Sequence, residues 1–162
     1  TLIPASRSIC PTRVVTVLLP FDPVMAMVGC VVARANSSTS PMIAVPAAAA
    51  AASGYYLLFL DHDDILDRFA LSAFAKSIME HKGEGPVDIL YADEDFFDDQ
   101  AKIRRLPRFK PDYSPDLLLA TNYIHHPLVM RRGLFERLKG LRPDYDGSQD
   151  HDLLLRAEEQ HP

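Results

Sequence analysis

Cysteine is nearly absent from this chain: Cys10 and Cys30 are the only two in 162 residues, and they form neither a CxxC pair nor a ligand set with the six histidines. That pattern excludes a disulfide scaffold, and the two thiols read as ordinary side chains of a reducing compartment. Positive charge is also in short supply. Lys and Arg total 17 against 22 Asp and Glu, a net charge of -5. This is the wrong sign for a protein that binds by neutralising phosphate backbones, so no nucleic-acid partner is expected. Long apolar runs are missing too: a spanning helix needs about 18 uninterrupted apolar residues, and the best stretch, 14–33, is broken by Pro20, Asp22 and Pro23. Arg7 and Arg13 ahead of that stretch give only a faint echo of a leader peptide. With Thr rather than Met at position 1, the chain is expected to be a piece of a longer product.

Charge is what the first third lacks. Residues 1–54 hold four charged side chains, Arg7, Arg13, Asp22 and Arg34, whereas residues 55–162 hold the other 35 of 39. The first part also carries six of the 13 prolines, a Ser/Thr run at 37–40 and the alanine tract 47–52. Few elements of normal length fit between those prolines. Val14 to Leu19 reads as a strand, residues 46–53 as a helix stopped by Gly54, and the region as a whole as poorly patterned and partly disordered.

From Tyr55 the pattern strengthens. The run Tyr55 to Leu60 (YYLLFL) is expected to be a strand buried on both faces. Asp67 is placed to cap a helix whose apolar residues Phe69, Ala70, Ala73, Phe74 and Ile78 recur at three- and four-residue steps up to Gly83. Val87 to Tyr91 reads as the next strand, followed by a loop rich in Asp and then in Lys and Arg. Leu128 to Met130 is expected to be a strand, residues 134–138 a short helix before a turn at Gly140, and a last helix starts close to Asp150. Strands alternating with helices imply an α/β layer fold with a largely parallel sheet.

Four clusters could carry chemistry. Asp61-His62-Asp63-Asp64 directly follows the YYLLFL strand, where ligands gather in open α/β sheets. In extended chain Asp61 and Asp63 point to one side, and two converging carboxylates repel unless a cation sits between them; a hard divalent metal shared with substrate phosphates meets that need. The plain alternative is a charged turn ahead of the helix. An EF-hand is excluded, because neither Asp61 nor Asp93 as first ligand gives a Gly at the sixth loop position or a Glu at the twelfth. The second cluster, Asp93-Glu94-Asp95, reads by itself as an acidic, solvated loop. The third, Lys102, Arg104, Arg105, Arg108 and Lys110, is either an anion site or a solvated face, the latter being commoner for surface charge runs. The fourth is residues 146–152, DGSQDHD, leading into the last helix. An Asp at a helix start is most often a cap, and the positive helix end lowers its pKa; a general base must be ionised at pH 7, so that setting is compatible with proton abstraction.

Taken in order, LLFLDHDDIL (57–66), ILYADEDFFDD (89–99), FKPDYSPDLLLATNYIHH (109–126) and YDGSQDHDLLLRAEE (145–159) resemble the family 2 glycosyltransferases of bacterial polysaccharide and rhamnan synthesis. The resemblance covers about residues 44–160 and rests on four separate segments. It implies a GT-A fold, a Rossmann-like α/β domain with a mostly parallel sheet flanked by helices, that binds a nucleotide-diphosphate sugar through Mg²⁺ or Mn²⁺. Asp61 and Asp63 match the family's DxD motif, with Asp63 nearest the metal and diphosphate, Asp61 closer to the sugar or ribose, and Asp64 behind them. Asp150, after Gln149, matches the catalytic Asp that takes a proton from the acceptor hydroxyl, with inversion at the anomeric carbon. Asp93, Glu94 and Asp95 match an acidic segment on the sugar and acceptor side. His126 matches a family histidine, although His125 stands where a small residue is more usual. The implied partners are a nucleotide-diphosphate sugar and a glycan or lipid-linked acceptor, in the cytoplasm or at the inner face of the membrane as a peripheral protein.

The sequence also departs from the family. Its VSIVxPVYN strand and Asp-Asp-x-Ser segment do not occur before Ala44, and the chain stops at Pro162, ahead of a segment in which many members supply a metal-binding histidine. The expected organisation is therefore a divergent, partly disordered region 1–43 and a partial catalytic domain 44–162. Two competing readings are a catalytically inactive glycosyltransferase fragment and a haloacid-dehalogenase-like phosphatase, in which Asp61 would be the nucleophile and Asp63 the acid.

Overall fold

The computed structural model describes residues 28–32, 48–61, 64–98, 100 and 102–160. The run Tyr55 to Leu60 forms strand β2 (Tyr56–Leu60), with all five residues buried as a strand covered on both faces requires. Strand β1 (Val28–Val32) lies beside it in parallel, Val28 opposite Tyr56 and Val32 opposite Leu60. This strand falls within the region expected to be divergent and poorly ordered; the rest of 1–43, including the strand expected at Val14 to Leu19, lies outside the described residues. Residues 48–51 form a helical turn, α1, just ahead of Gly54.

Strand β6 (Leu128–Arg131) pairs with β2 on one side and with β3 (Ile89–Tyr91) on the other, giving the order β1-β2-β6-β3. Both of its pairings are antiparallel, with Leu128 opposite Phe59 and opposite Tyr91. The expectation of a mostly parallel sheet is thus corrected: the sheet is mixed, with one parallel pairing among the described strands. The cause is the connection from β3 to β6. Strands β4 (Glu94–Asp98) and β5 (Ile103–Arg108) form a hairpin that returns the chain towards the end of β3, so β6 enters from that edge and runs against both neighbours. Because β2 and β3 share one direction, their C-terminal ends meet the start of β6 at a single edge.

The hairpin occupies the segment that reads from sequence as a charged loop. Neither strand alternates apolar with polar residues; cross-strand ion pairs do the matching instead. Glu94 pairs with Arg108 at 2.9 Å, Asp95 with Arg104 at 2.5 Å and Asp98 with Arg105 at 3.4 Å. Arg104, Arg105 and Arg108 of the basic run are accordingly counter-ions on an exposed strand.

Helices cover both faces of the four-stranded sheet. Helix α2 (Ala70–Glu80) packs Ala70 and Phe74 on the face that carries Tyr56, Leu58, Leu60 and Val129. Asp67 bonds the Phe69 amide at 2.9 Å and so closes the turn ahead of α2, whose N-cap is Phe69. On the other face Leu57, Phe59, Leu128 and Met130 meet three helices, α3 (Pro115–Ala120), α4 (Arg132–Arg137) and α5 (Gln149–Glu158). The alternation of Leu57 and Phe59 with Leu58 and Leu60 is the period of two that lets one short strand feed both layers. Helix α3 starts where Ser114 accepts a bond from the Leu117 amide and Pro115 pre-sets the first turn. Gly140, at φ 68°, makes the turn expected after α4, with its amide bonded to Phe135 O. Among the described residues, no helix is long and apolar enough to cross a membrane.

Candidate functional site

Three segments converge at the edge where β2 and β3 end and β6 begins. Asp61 is the first residue past β2, and Asp64 turns back on it, its amide bonding Asp61 O at 3.2 Å. His126 stands two residues before β6. Asp150 is the second residue of α5, which is held by His151, whose Nε2 lies 2.6 Å from Leu118 O.

His126 lies between two carboxylates. Its Nδ1 is 3.5 Å from Asp61 Oδ2 and its Nε2 is 3.4 Å from Asp150 Oδ2. The ring is the most enclosed of the three: the Asp61 side chain is 60% exposed, Asp150 20% and His126 14%. Burial works against a charged imidazole, yet the bond to Asp61 and the charges of Asp150, Asp61 and Asp64 together raise the His126 pKa above its ordinary value. Burial and the nearby Asp61 charge also raise the pKa of Asp150, opposed by His126 and His125. This corrects the expectation that Asp150 would sit below its ordinary value: burial at this edge, with the Asp61 charge, raises it. His125 is pushed the other way, its pKa lowered by burial.

One donor atom each from Asp61, Asp64 and His126 lies within 4.8 Å of the others. Two carboxylate oxygens and an imidazole nitrogen at that spacing suit a divalent cation such as Mn²⁺. Asp61, Asp64, Glu94, Asp95, His125 and His126, with Phe96 and Arg108, line a cleft of about 170 Å³. Asp95 is buried there, with Oδ2 on Arg104 and Oδ1 without a hydrogen-bond partner among the described residues.

Of the residues expected from sequence, Asp61, Glu94, Asp95 and His126 share this cleft, and Asp150 joins it through His126. Asp93 does not: its Oδ1 accepts the Lys110 amide at 2.8 Å, and it lines a separate, larger cleft beside Tyr91 and Tyr113. Gln149 is occupied locally, its Oε1 accepting the Gly147 amide at 2.8 Å. Asp63 lies outside the described residues. From the sequence, Asp64 is expected behind the ligands and Lys110 in a run of surface charge. The structure brings Asp64 into the donor set and buries Lys110, whose side chain is 3% exposed. The available signal for Lys110 was its position at the end of the basic run, next to Pro111, where the hairpin rejoins the body.

No protein-family model matches the chain. It resembles a small part of much longer proteins. It is 42% identical over 110 residues to the O-antigen biosynthesis protein RfbC of Myxococcus xanthus, a match covering 68% of this chain and 8% of that protein. It is 39% identical over 106 residues to an uncharacterized protein, y4gI, of Sinorhizobium fredii, covering 65% of this chain and 11% of that one. The chain therefore spans about a tenth of the length of these relatives.

Proposed function

We propose that this chain is part of a GT-A-like, family 2 glycosyltransferase domain in polysaccharide synthesis. It would transfer a sugar from a nucleotide-diphosphate donor to a hydroxyl of a glycan or lipid-linked acceptor, with inversion. The observation that carries this reading is the row Asp61, His126, Asp150, with Asp64 beside it, at one edge of an α/β sheet. The likeness to a protein named for the biosynthesis of O-antigen, a polysaccharide, supports it. The catalytic part would lie within residues 44–162, and the reaction in the cytoplasm, where its donor would be met.

Asp61, Asp64 and His126 would hold Mg²⁺ or Mn²⁺, with Asp63 as the neighbouring carboxylate of the DxD pair. When bound, such a cation offsets the negative charge of a departing diphosphate. Asp150 receives the proton of the acceptor hydroxyl as the acceptor oxygen bonds to the anomeric carbon and the bond from that carbon to the diphosphate oxygen breaks. Its raised pKa makes it a stronger proton acceptor than an ordinary surface carboxylate, and the His126 ring beside it opposes that rise. Glu94 and Asp95 supply acceptors for sugar hydroxyls in the cleft.

The test is a thermal-shift titration with UDP, dTDP and GDP, with and without Mn²⁺, beside Asp61→Asn and Asp64→Asn. A ligand that binds only the folded state raises its apparent stability. A Mn²⁺-dependent rise that both substitutions abolish is expected. A folded protein that responds to none of the three nucleotides overturns the reading and leaves an inactive fragment.

A further inference from the structure

Lys110 is a buried cation that the proposed chemistry does not use. It closes the β4–β5 hairpin, and its neighbour Phe109 is 69% exposed while its own side chain is 3% exposed. Burying an ammonium costs several kcal/mol unless each hydrogen finds an acceptor. Here each does: Nζ donates to Ile124 O at 2.5 Å and to His126 O at 2.9 Å, and pairs with Glu94 at 3.2 Å. The Lys110 amide meanwhile donates to Asp93 at 2.8 Å.

The two carbonyls flank His125. That residue sits at φ 45°, in the left-handed region that disfavours a side chain with a Cβ. Such a conformation persists when its surroundings over-determine it. Lys110 grips the backbone on both sides of it, and Asn122 Oδ1 accepts the His125 amide at 3.3 Å. The segment so fixed ends in His126, whose ring must hold Asp61 and Asp150 on its two nitrogens at once.

We infer that Lys110 is a positioning residue: by tying Ile124 O and His126 O to Glu94, it sets the His126 ring between Asp61 and Asp150. The inference rests on the reading of His126 as a site residue, and its test separates the two. Electrostatics and positioning predict opposite results. Removing a cation near a metal site should tighten metal binding, whereas loosening the turn should weaken it.

The full chain and Lys110→Met are titrated with Mn²⁺, following free Mn²⁺ by electron paramagnetic resonance, with folding checked by circular dichroism. About tenfold weaker binding by folded Lys110→Met is expected, on the scale of lost support behind a metal ligand. Equal or tighter binding overturns the inference. If Lys110→Met does not fold, Lys110→Gln drops the charge but keeps two amide donors, and equal or tighter binding by that variant is equally fatal. A wild-type chain that binds no Mn²⁺ defeats the metal reading, and Lys110 is then judged on metal-free protein by the carbon–proton signals of the histidine rings. A shifted His126 signal with His81 and His151 unmoved is expected from either variant; an unmoved His126 signal overturns the role.

Discussion

Two aspartates in the first turn of α5 stand two residues apart and behave as opposites. On a helix that spacing turns their side chains to nearly opposite faces. Asp150 faces His126 and, among the described residues, no arginine pairs with it; burial raises its pKa. Asp152 is less exposed to solvent, and burial pushes it the same way, but Arg142 and Arg156 both bond its carboxylate and hold its pKa below the ordinary range. Burial of a carboxylate thus decides nothing by itself. Two guanidiniums convert Asp152 into a fixed brace between α5, the turn before it and the end of α4, since Arg156 also donates to Leu138 O and Gly140 O. A single titratable imidazole leaves Asp150 able to take up a proton.

The comparison can be broken most severely through Asp150. Asp150→Asn is expected to lower the rate of sugar transfer by about 10²- to 10⁴-fold, the usual worth of a general base, with no loss of stability. Transfer assays beside thermal melts check both halves. Asp152→Ala reverses the pattern: leaving Arg156 buried and unpaired should cost about 3 kcal/mol, read from denaturant midpoints.

A smaller effect links protons to metal. Because His126 must be neutral to ligate, Mn²⁺ affinity should climb about tenfold per pH unit below the His126 pKa, which lies above its ordinary 6.5, and level off above it. Titrations at several pH values check this, and a flat profile removes His126 from the ligand set. The smallest effects are slopes of stability with pH. Asp152 has a depressed folded pKa, so its contribution is full above the unfolded carboxylate range and lost as pH falls through the folded value. Asp150 and His126 have raised pKa values, so each contributes fully below its unfolded pKa and loses that contribution as pH rises through the folded one. Unfolding free energies across pH should show Asp152→Asn flattening the acid limb and His126→Gln flattening the limb above pH 6.5.

Local pattern carried the reading of β2, β6 and α5, because each is a short apolar run bounded by polar residues or turn formers, and the polar residue after β2 is Asp61. It failed at the hairpin, where strand pairing depends on Glu94 meeting Arg108 and Asp95 meeting Arg104 and no apolar alternation marks either strand. The short helix α3 left a clear but unread mark in Ser114-Pro115-Asp116, a cap, a first-turn proline and an acid. Within the site, residue types were legible and pairings were not. That Asp61 shares an imidazole with Asp150, or that Lys110 reaches Ile124 O, depends on contacts between segments distant in sequence, and no spacing rule reports them.

The place of β6 has a further consequence for how the site comes into being. This four-residue strand is the shared neighbour of β2 and β3, so neither joins the other until the chain has been made through Arg131, and Asp150 arrives later still. Closing such long loops is entropically slow, and the reward comes only when the last piece docks. Asp61 and Asp64 would therefore spend the early part of folding as a solvated acidic turn. One cut between Tyr91 and Leu128 would undo the junction on both of its sides.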